Sequence, residues 1–430
     1  MRNKRRSIAT AVAITMGFTG FVLATGYIIR VEKYLRLSHI YIRYTGHLAI
    51  YKKGAFERNF SKPERDSLSN SEIDQIREIL KSDPNIENTG RFLRGNGLVS
   101  NGYLSFPFVA IGIDPEVDHY LRNHPLVHKV LPEIGPIKKG RTLFQASDTP
   151  DAVVMSQGLA RLLGKEDMNF DEPPYKAPLN PTGQNCDKKD RSIQLVGGTY
   201  AGSFSATDGT LTGFFSTANA ELEEVLLLTS VATLQKLFDT DKLTYMTVYL
   251  KDDSNLKKRA TDLEALLRSK GIEVDVKHWN QRAIAPNYTG FMGFLTMLGA
   301  FIYGVLSVVV GISIINTSTL SVIERGKEIG TLRAIGFKTK HIISLFMHET
   351  FILVIFCMVS SAIVSTIFIT LINKANIRFS PPGVSGSIQF LLELTPLSVI
   401  VISMSLIVVA LLSTLLGVRK KVKKSIISSL

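Results

Sequence analysis

Three short patterns in this sequence have residue types and spacings that could support chemistry. His119, His124 and His128 lie close together, and His124 and His128 have the i, i+4 spacing that places two imidazoles on one helical face for a metal. Pro125 disfavours helical backbone at His124, and no Cys or paired carboxylate completes a ligand set, so no metal site is expected. "SNLK" (254–257) has the Ser-x-x-Lys spacing of some acyl enzymes, but it opens an amphipathic run in which Ser254 reads as a helix cap. "GTLRAIGFKT" (330–339) is the nearest thing to a phosphate loop, and its spacing departs from G-x-x-x-x-G-K-[ST]. No catalytic, cofactor-binding or metal-binding residue is therefore expected in this chain.

The pattern that calls for function is instead "ERGKEIGTLRAIG" (324–336), which follows a long charge-free run. On a helix advancing 100° per residue, Val322, Ile329, Leu332 and Gly336 form a narrow apolar arc flanked by Arg325 and Arg333. Glu324, Lys327 and Glu328 lie opposite, and Gly326, Gly330 and Ala334 form a ridge of small residues between. Each interior glycine costs about 1 kcal/mol relative to Ala. A helix lying on lipid headgroups would favour Lys and large apolar residues. Small residues with paired Glu and Arg fit docking onto another protein better.

Four charge-free stretches determine where that helix sits: Ser7–Ile29, Ala283–Ile323, Thr350–Asn373 and Leu394–Val418. Each reaches the roughly 20 residues that cross a bilayer core of about 30 Å. The first reads as a retained anchor, because it has no small-residue cleavage site before Arg30. The N-terminal segment, the 324–349 loop and the segment after the last span together hold 14 basic and three acidic residues, +11 of the chain's +13. Short basic segments stay in the cytoplasm, so both ends and that loop face inward, and residues 31–285 form one large outside domain. That domain is nearly neutral, so the sequence pI near 9.5 implies no nucleic-acid partner. Cys186 and Cys357, one outside and one in the third span, cannot pair.

The outside domain reads as α+β. Strands are expected at 40–51, 91–99, 106–113, 244–250 and 272–279, and helices at 71–81, with a Ser69–Glu72 capping box, and at 254–270, stopped by Gly271. Two such groups flanking a middle segment suggest one subdomain from about 31–111 and 225–285, with a second inserted at about 112–224. Within the insert, 165–192 carries four prolines and no hydrophobic periodicity; it reads as a long loop and a candidate contact for a substrate or carrier. The remaining divisions are 1–30 (N-terminus and first span), 286–323 (stalk and second span), 324–349 (coupling helix and loop), 350–373 (third span), 374–393 (outside loop), 394–418 (fourth span) and 419–430 (cytoplasmic tail). The outside turn "RFSPPGVSG" (378–386) reads as structural. As one helix, Asn287–Ile323 would extend about 55 Å, well beyond the bilayer core. Ala300, Gly304, Ser307 and Gly311 fall on one of its faces, a seam for close packing within one subunit or between two.

The run "VIERGKEIGTLRAIGFKTKHIISLFMHETFIL" (322–353) resembles the signature of FtsX/MacB-type permeases, the membrane subunits of type VII ABC transporters. The order of one span, a large outside domain and three further spans is similar over nearly the whole chain. "AIGIDPEV" (110–117), "AVVMSQGLARLLG" (152–164), "TDGTL" (207–211) and Trp279 resemble the lipoprotein-releasing LolC/LolE branch, whereas 165–192 departs from it. The resemblance implies that Glu324, Arg325, Glu328, Ile329, Gly330, Leu332, Arg333 and Gly336 belong to a coupling helix seated in a groove of a separate cytoplasmic ABC ATPase, which binds the ATP and Mg. It also implies a second permease copy or paralogue, contact with membrane lipid, a periplasmic carrier or adaptor, and a place in a bacterial inner membrane. ATP-driven movement would then release lipoprotein or lipid. The family also implies two alternatives: MacB-like efflux through an adaptor and outer-membrane duct, and FtsX-like signalling to a cell-wall hydrolase.

Overall fold

The computed structural model describes residues 2–132, 136–171, 190–217, 220–379 and 387–424. Four helices are long and apolar enough to cross a membrane. They flank a large α+β domain placed between the first and second of them, and the chain is a multi-pass membrane protein with a large extracytoplasmic domain. By internal contacts it divides into a membrane unit (Met1–Glu32, Gly290–Arg378, Gln389–Leu430) and a domain unit (Lys33–Thr289, Phe379–Ile388).

The spanning helices are Arg2–Leu37, Pro286–Glu324, Thr339–Lys374 and Pro396–Lys424. The second has 39 residues and so extends about 58 Å. The third begins eleven residues earlier than its charge-free stretch, so 339–349 is helix rather than loop. Lipid offers no hydrophobic drive for helix association, so close approach and polar links hold such bundles. Here Ile14, Val310, Ile314, Val354, Cys357 and Ala410 form one shared core. Thr19 bonds Ser361 (2.8 Å), Thr414 bonds Thr350 (3.0 Å), and Thr10 pairs with Thr317.

The domain is built on a ten-stranded sheet: β1 (Leu48–Lys52), β2 (Ile86–Ser100), β3 (Ser105–Ile113), β4 (Ile137–Gly140), β5 (Ala152–Ser156), β6 (Ser192–Gly198), β7 (Phe204–Phe215), β8 (Leu226–Ser230), β9 (Tyr245–Leu250) and β10 (Val274–His278). Its order is β10-β1-β9-β2-β3-β8-β5-β7-β4, and β6 joins β2 to β7. The pairings β2-β3-β8-β5-β7-β6 therefore close into a ring. The β3–β8 and β5–β7 pairs are parallel, and the rest of the ring is antiparallel. Helix Val231–Phe238 packs against β2, β3, β6, β7 and β8. Gly95 and Gly197 make room for its Phe238 ring, which would lie within 2.1 Å and 2.7 Å of a Cβ at those positions.

Alternation along the strands divides the sheet between two cores. Leu48 and Ile50 enter one, with helix Asn70–Leu80 and helix Leu256–Ser269; Ala49 and Tyr51 enter the other, with Tyr245, Tyr249 and Trp279. The Ser69–Glu72 capping box forms as expected. Residues 40–51 differ from expectation. The first spanning helix continues to Leu37, a π-helical turn covers Ser38–Ile42, and extended backbone starts only at Leu48. The β-branched and aromatic composition there reflects burial: Ile40, Tyr41 and Tyr44 are core residues, and composition of this kind marks packed surface rather than backbone conformation. Ser254 is not the cap of its helix. Asn255 occupies that position in left-handed backbone, and Ser254 Oγ donates to Asp252 Oδ2 at 2.7 Å.

Candidate functional site

The 324–336 segment is not one continuous helix. The second spanning helix ends at Glu324, Arg325 leaves helical geometry (φ −95°, ψ 18°), and a short helix runs Gly326–Ala334. Arg325 holds the corner, donating from Nη1 to Glu349 Oε2 at 2.9 Å with Glu328 Oε2 3.7 Å from its Nε.

The short helix is anchored on its inner side by Ile329, which packs with Val322, Ile342, Phe346, Val418 and Val422. Part of the expected apolar arc is thus used inside the chain: Val322 and Ile329 are buried, and Leu332 is half-buried. Gly336 does not extend that arc. Its φ of +101° stops the helix, the Gly336 N–H bonding Arg333 O (2.9 Å) and the Phe337 N–H bonding Leu332 O (3.0 Å). This is the Schellman arrangement, which needs left-handed backbone and therefore favours glycine. Arg333 Nη2 donates to Thr339 Oγ1 at 2.7 Å, tying the short helix to the start of the third spanning helix.

The outer side is open. Gly330 and Ala334 are exposed, and a Cβ added at Gly326 or Gly330 would meet no heavy atom within 4 Å. Ile335 and Phe337 flank this strip at 72% and 48% exposure. Glu324, Lys327 and Glu328 are exposed as well. The result is an apolar, small-residue strip edged by charge, on a helix fixed from behind.

The helix-packing seam divides. Gly311 is buried, with Ser413 Oγ 3.0 Å from where its Cβ would stand, and Ser307 is half-buried. Ala300 and Gly304 are exposed, and nothing lies within 4 Å of a Cβ at Gly304. Its lower half serves packing within the chain; its upper half carries no partner from this chain among the described residues.

The histidines have packing roles. His124 is extended (φ −61°, ψ 131°), as Pro125 requires; its ring stacks on Tyr41 (4.4 Å between centroids) and its Nδ1 accepts from the Leu126 N–H at 3.3 Å. His119 stacks on Phe144 and His128 is exposed. Among the described residues no group of three His, Cys, Asp or Glu side chains is placed to hold a metal. The middle of the 165–192 segment, with Cys186, most of 378–386 and residues 425–430 of the tail lie outside the described residues. The ends of 165–192 do meet: Arg191 Nη2 donates to Asn169 O at 3.2 Å, and Lys165 Nζ donates to Asp190 O.

Residues 300–426, about the last third of the chain, match the family model described as FtsX-like permease C-terminal. They take in the short helix and most of the spanning helices on either side of it. Two uncharacterized ABC transporter permeases of Methanocaldococcus jannaschii are similar, one 28% identical over 120 residues (27% of this chain) and the other 29% identical over 132 residues (30% of this chain). The chain spans only 29% and 35% of the length of those relatives. A solved structure of the periplasmic region of MacB from Actinobacillus actinomycetemcomitans covers 56% of this chain and 91% of its own, at 15% identity and a TM-score of 0.34.

Proposed function

We propose that this chain is the permease subunit of an FtsX/MacB-type ABC transporter, and that helix Gly326–Ala334 docks on a cytoplasmic ATPase. The observation that carries this reading is the two-sidedness of that helix: Ile329 locks it from behind while Gly326 and Gly330 leave its outer strip bare. A rigid, small-residue strip allows close backbone approach by a partner, and Glu324, Glu328 and Lys327 supply charge at its rim. ATP and Mg belong to the partner, and this chain has no catalytic role of its own. A second permease copy packs on the open Ala300–Gly304 part of the seam. The cargo is a lipoprotein or lipid released at the extracytoplasmic face, a reading supported by the motifs at 110–117, 152–164 and 207–211. The inserted subdomain with its 165–192 segment faces the carrier. The test is purification of the full chain from its own membrane. Recovery of an ABC ATPase together with an extracytoplasmic lipoprotein carrier supports the reading. An adaptor or a cell-wall hydrolase in place of the carrier overturns the cargo, and absence of any ATPase overturns the whole.

A further inference from the structure

The domain unit contains a cavity of about 670 Å³, within the range of small-molecule sites. Its floor is the face of the sheet that carries Tyr51 and Tyr245, and the register explains why these residues converge. Arg94 lies opposite Ile111, Asn96 opposite Val109, and Val109 opposite Leu226, so side chains from β2, β3 and β8 stand in adjacent rows on one face. Phe56 and Phe60 form an aromatic wall, stacked edge-to-face at 5.2 Å. The lining is mostly apolar and carries two guanidinium groups, Arg94 and Arg43.

Arg94 stands on β2 in the sheet face that floors the cavity; its side chain is exposed and lines the opening. Its guanidinium stands over the Tyr245 ring at 4.9 Å, and no Asp or Glu pairs with it among the described residues. Arg43, on the same lining, has Glu221 as its acidic neighbour, whereas Arg122 has Asp118, and Arg91 has Asp114 on two hydrogen bonds. A guanidinium over an aromatic ring has further N–H donors to present to a carboxylate or phosphate.

We propose that this cavity binds an anionic amphiphile, its alkyl body lying against Phe56, Phe60, Ile111 and Val109 and its acidic head on Arg94. The chemistry is shared by a membrane phospholipid and a free long-chain carboxylic acid. The site is independent of ATPase docking, and a Gly330 variant leaves it intact.

The test uses the full chain in phosphatidylcholine nanodiscs at neutral pH, titrated with laurate and, as the uncharged control, n-dodecanol. Empty discs are subtracted. Trp279, the chain's one tryptophan, reports through His39, which lines the cavity 6.2 Å from it ring to ring. Laurate is expected to bind at least about tenfold more tightly than dodecanol, and Arg94→Gln to remove that difference while Arg94→Lys keeps part of it. Ile111→Phe, which fills the cavity and leaves the charge, is expected to weaken both ligands. Native mass spectrometry of the chain extracted from its own membrane separates the sources. A phospholipid adduct lost in Arg94→Gln assigns the site to lipid; laurate binding without such an adduct assigns it to a free carboxylic acid. Equal binding of laurate and dodecanol, unchanged laurate binding in folded Arg94→Gln, or no binding to the unaltered chain overturns the proposal.

Discussion

Arg122 and Asp118 form an ion pair inside the extracytoplasmic domain, Nε to Oδ1 at 2.8 Å, with side chains only 6% and 1% exposed. Tyr44 completes it, accepting from Arg122 Nη2 at 2.8 Å and donating to Asp118 Oδ1 at 3.0 Å. Removing one charge leaves the other buried and unpaired, which costs about 3–5 kcal/mol. Asp118→Leu is therefore expected to lower the thermal stability of the domain sharply. The triple variant Tyr44→Phe, Asp118→Leu, Arg122→Met removes these three polar side chains at once and is expected to recover most of the loss. A triple variant no more stable than the single one would show that the network contributes more than its own satisfaction.

Residues 31–285, expressed without the remaining spans, are expected to be folded and monomeric without detergent. The charge on that side of the membrane is nearly balanced, and both apolar cores of the domain close on themselves. Size-exclusion chromatography and circular dichroism are the measurements. A fragment that stays soluble only in detergent would contradict the assigned topology.

The domain should also lose stability in mild acid. Burial lowers the His47 pKa to about 4, and its Nδ1 accepts the Leu250 N–H at 3.0 Å, so the folded domain keeps this imidazole neutral. The unfolded chain takes up the proton near pH 6.5. The stabilisation is thus complete above pH 6.5 and declines as pH falls towards 4, by about 2–3 kcal/mol. His47→Asn is expected to be less stable at pH 7 and to show a shallower decline between pH 6.5 and 4.5. Equal slopes for the two proteins in chemical denaturation would remove His47 as the cause.

Replacing residues 172–189 by a short Gly/Ser linker is expected to leave the domain fold intact. The flanking chain is already closed by Arg191 to Asn169 and Lys165 to Asp190, and Arg191 lies over the Phe170 ring at 5.2 Å. Unfolding temperature within a few degrees of the parent is the expected reading. If the segment contacts a carrier, transport falls while the fold stands; full transport would reduce the segment to a passive insertion.

What the sequence made legible follows from how strongly each constraint acts on composition. Lipid excludes charge over whole stretches, so the four spans and their orientation could be read directly. The Ser69–Glu72 box needs only two residues and was equally readable. The 40–51 segment misled because Tyr41, Tyr44 and Ile40 are buried in a turn, and burial selects the same residue types as a strand does. Closure of the ring by β6 depends on pairings between residues about a hundred positions apart, such as Leu98 with Val196, and leaves no local mark. On the short helix, periodicity located the apolar arc but not its occupant. Whether Ile329 faces its own chain or a partner is decided by Phe346 and Val422, which no helical wheel contains.

The proposed docking helix, Gly326–Ala334, offers the sharpest separation between folding and assembly. A Cβ at Gly330 meets no heavy atom within 4 Å, and replacing glycine inside a helix gains about 1 kcal/mol. Gly330→Leu should therefore be neutral or stabilising for the isolated subunit, yet it fills the strip on which a partner would rest. Arg333→Glu acts differently. It removes the hydrogen bond to Thr339 and reverses the charge at the edge of the strip, so an acidic groove on the partner would repel it. Ile329→Asp is the contrasting case, because it puts a charge into the cluster with Val322 and Phe346 and should reduce the amount of protein in the membrane. Membrane abundance, ATPase recovery and cargo release are measured for all three. The expected pattern is normal abundance with ATPase recovery reduced at least about tenfold for Gly330→Leu and Arg333→Glu, and low abundance for Ile329→Asp. Normal ATPase recovery and release in both of the first two would place the open strip against lipid headgroups, and the proposed coupling role of helix Gly326–Ala334 would fail with it.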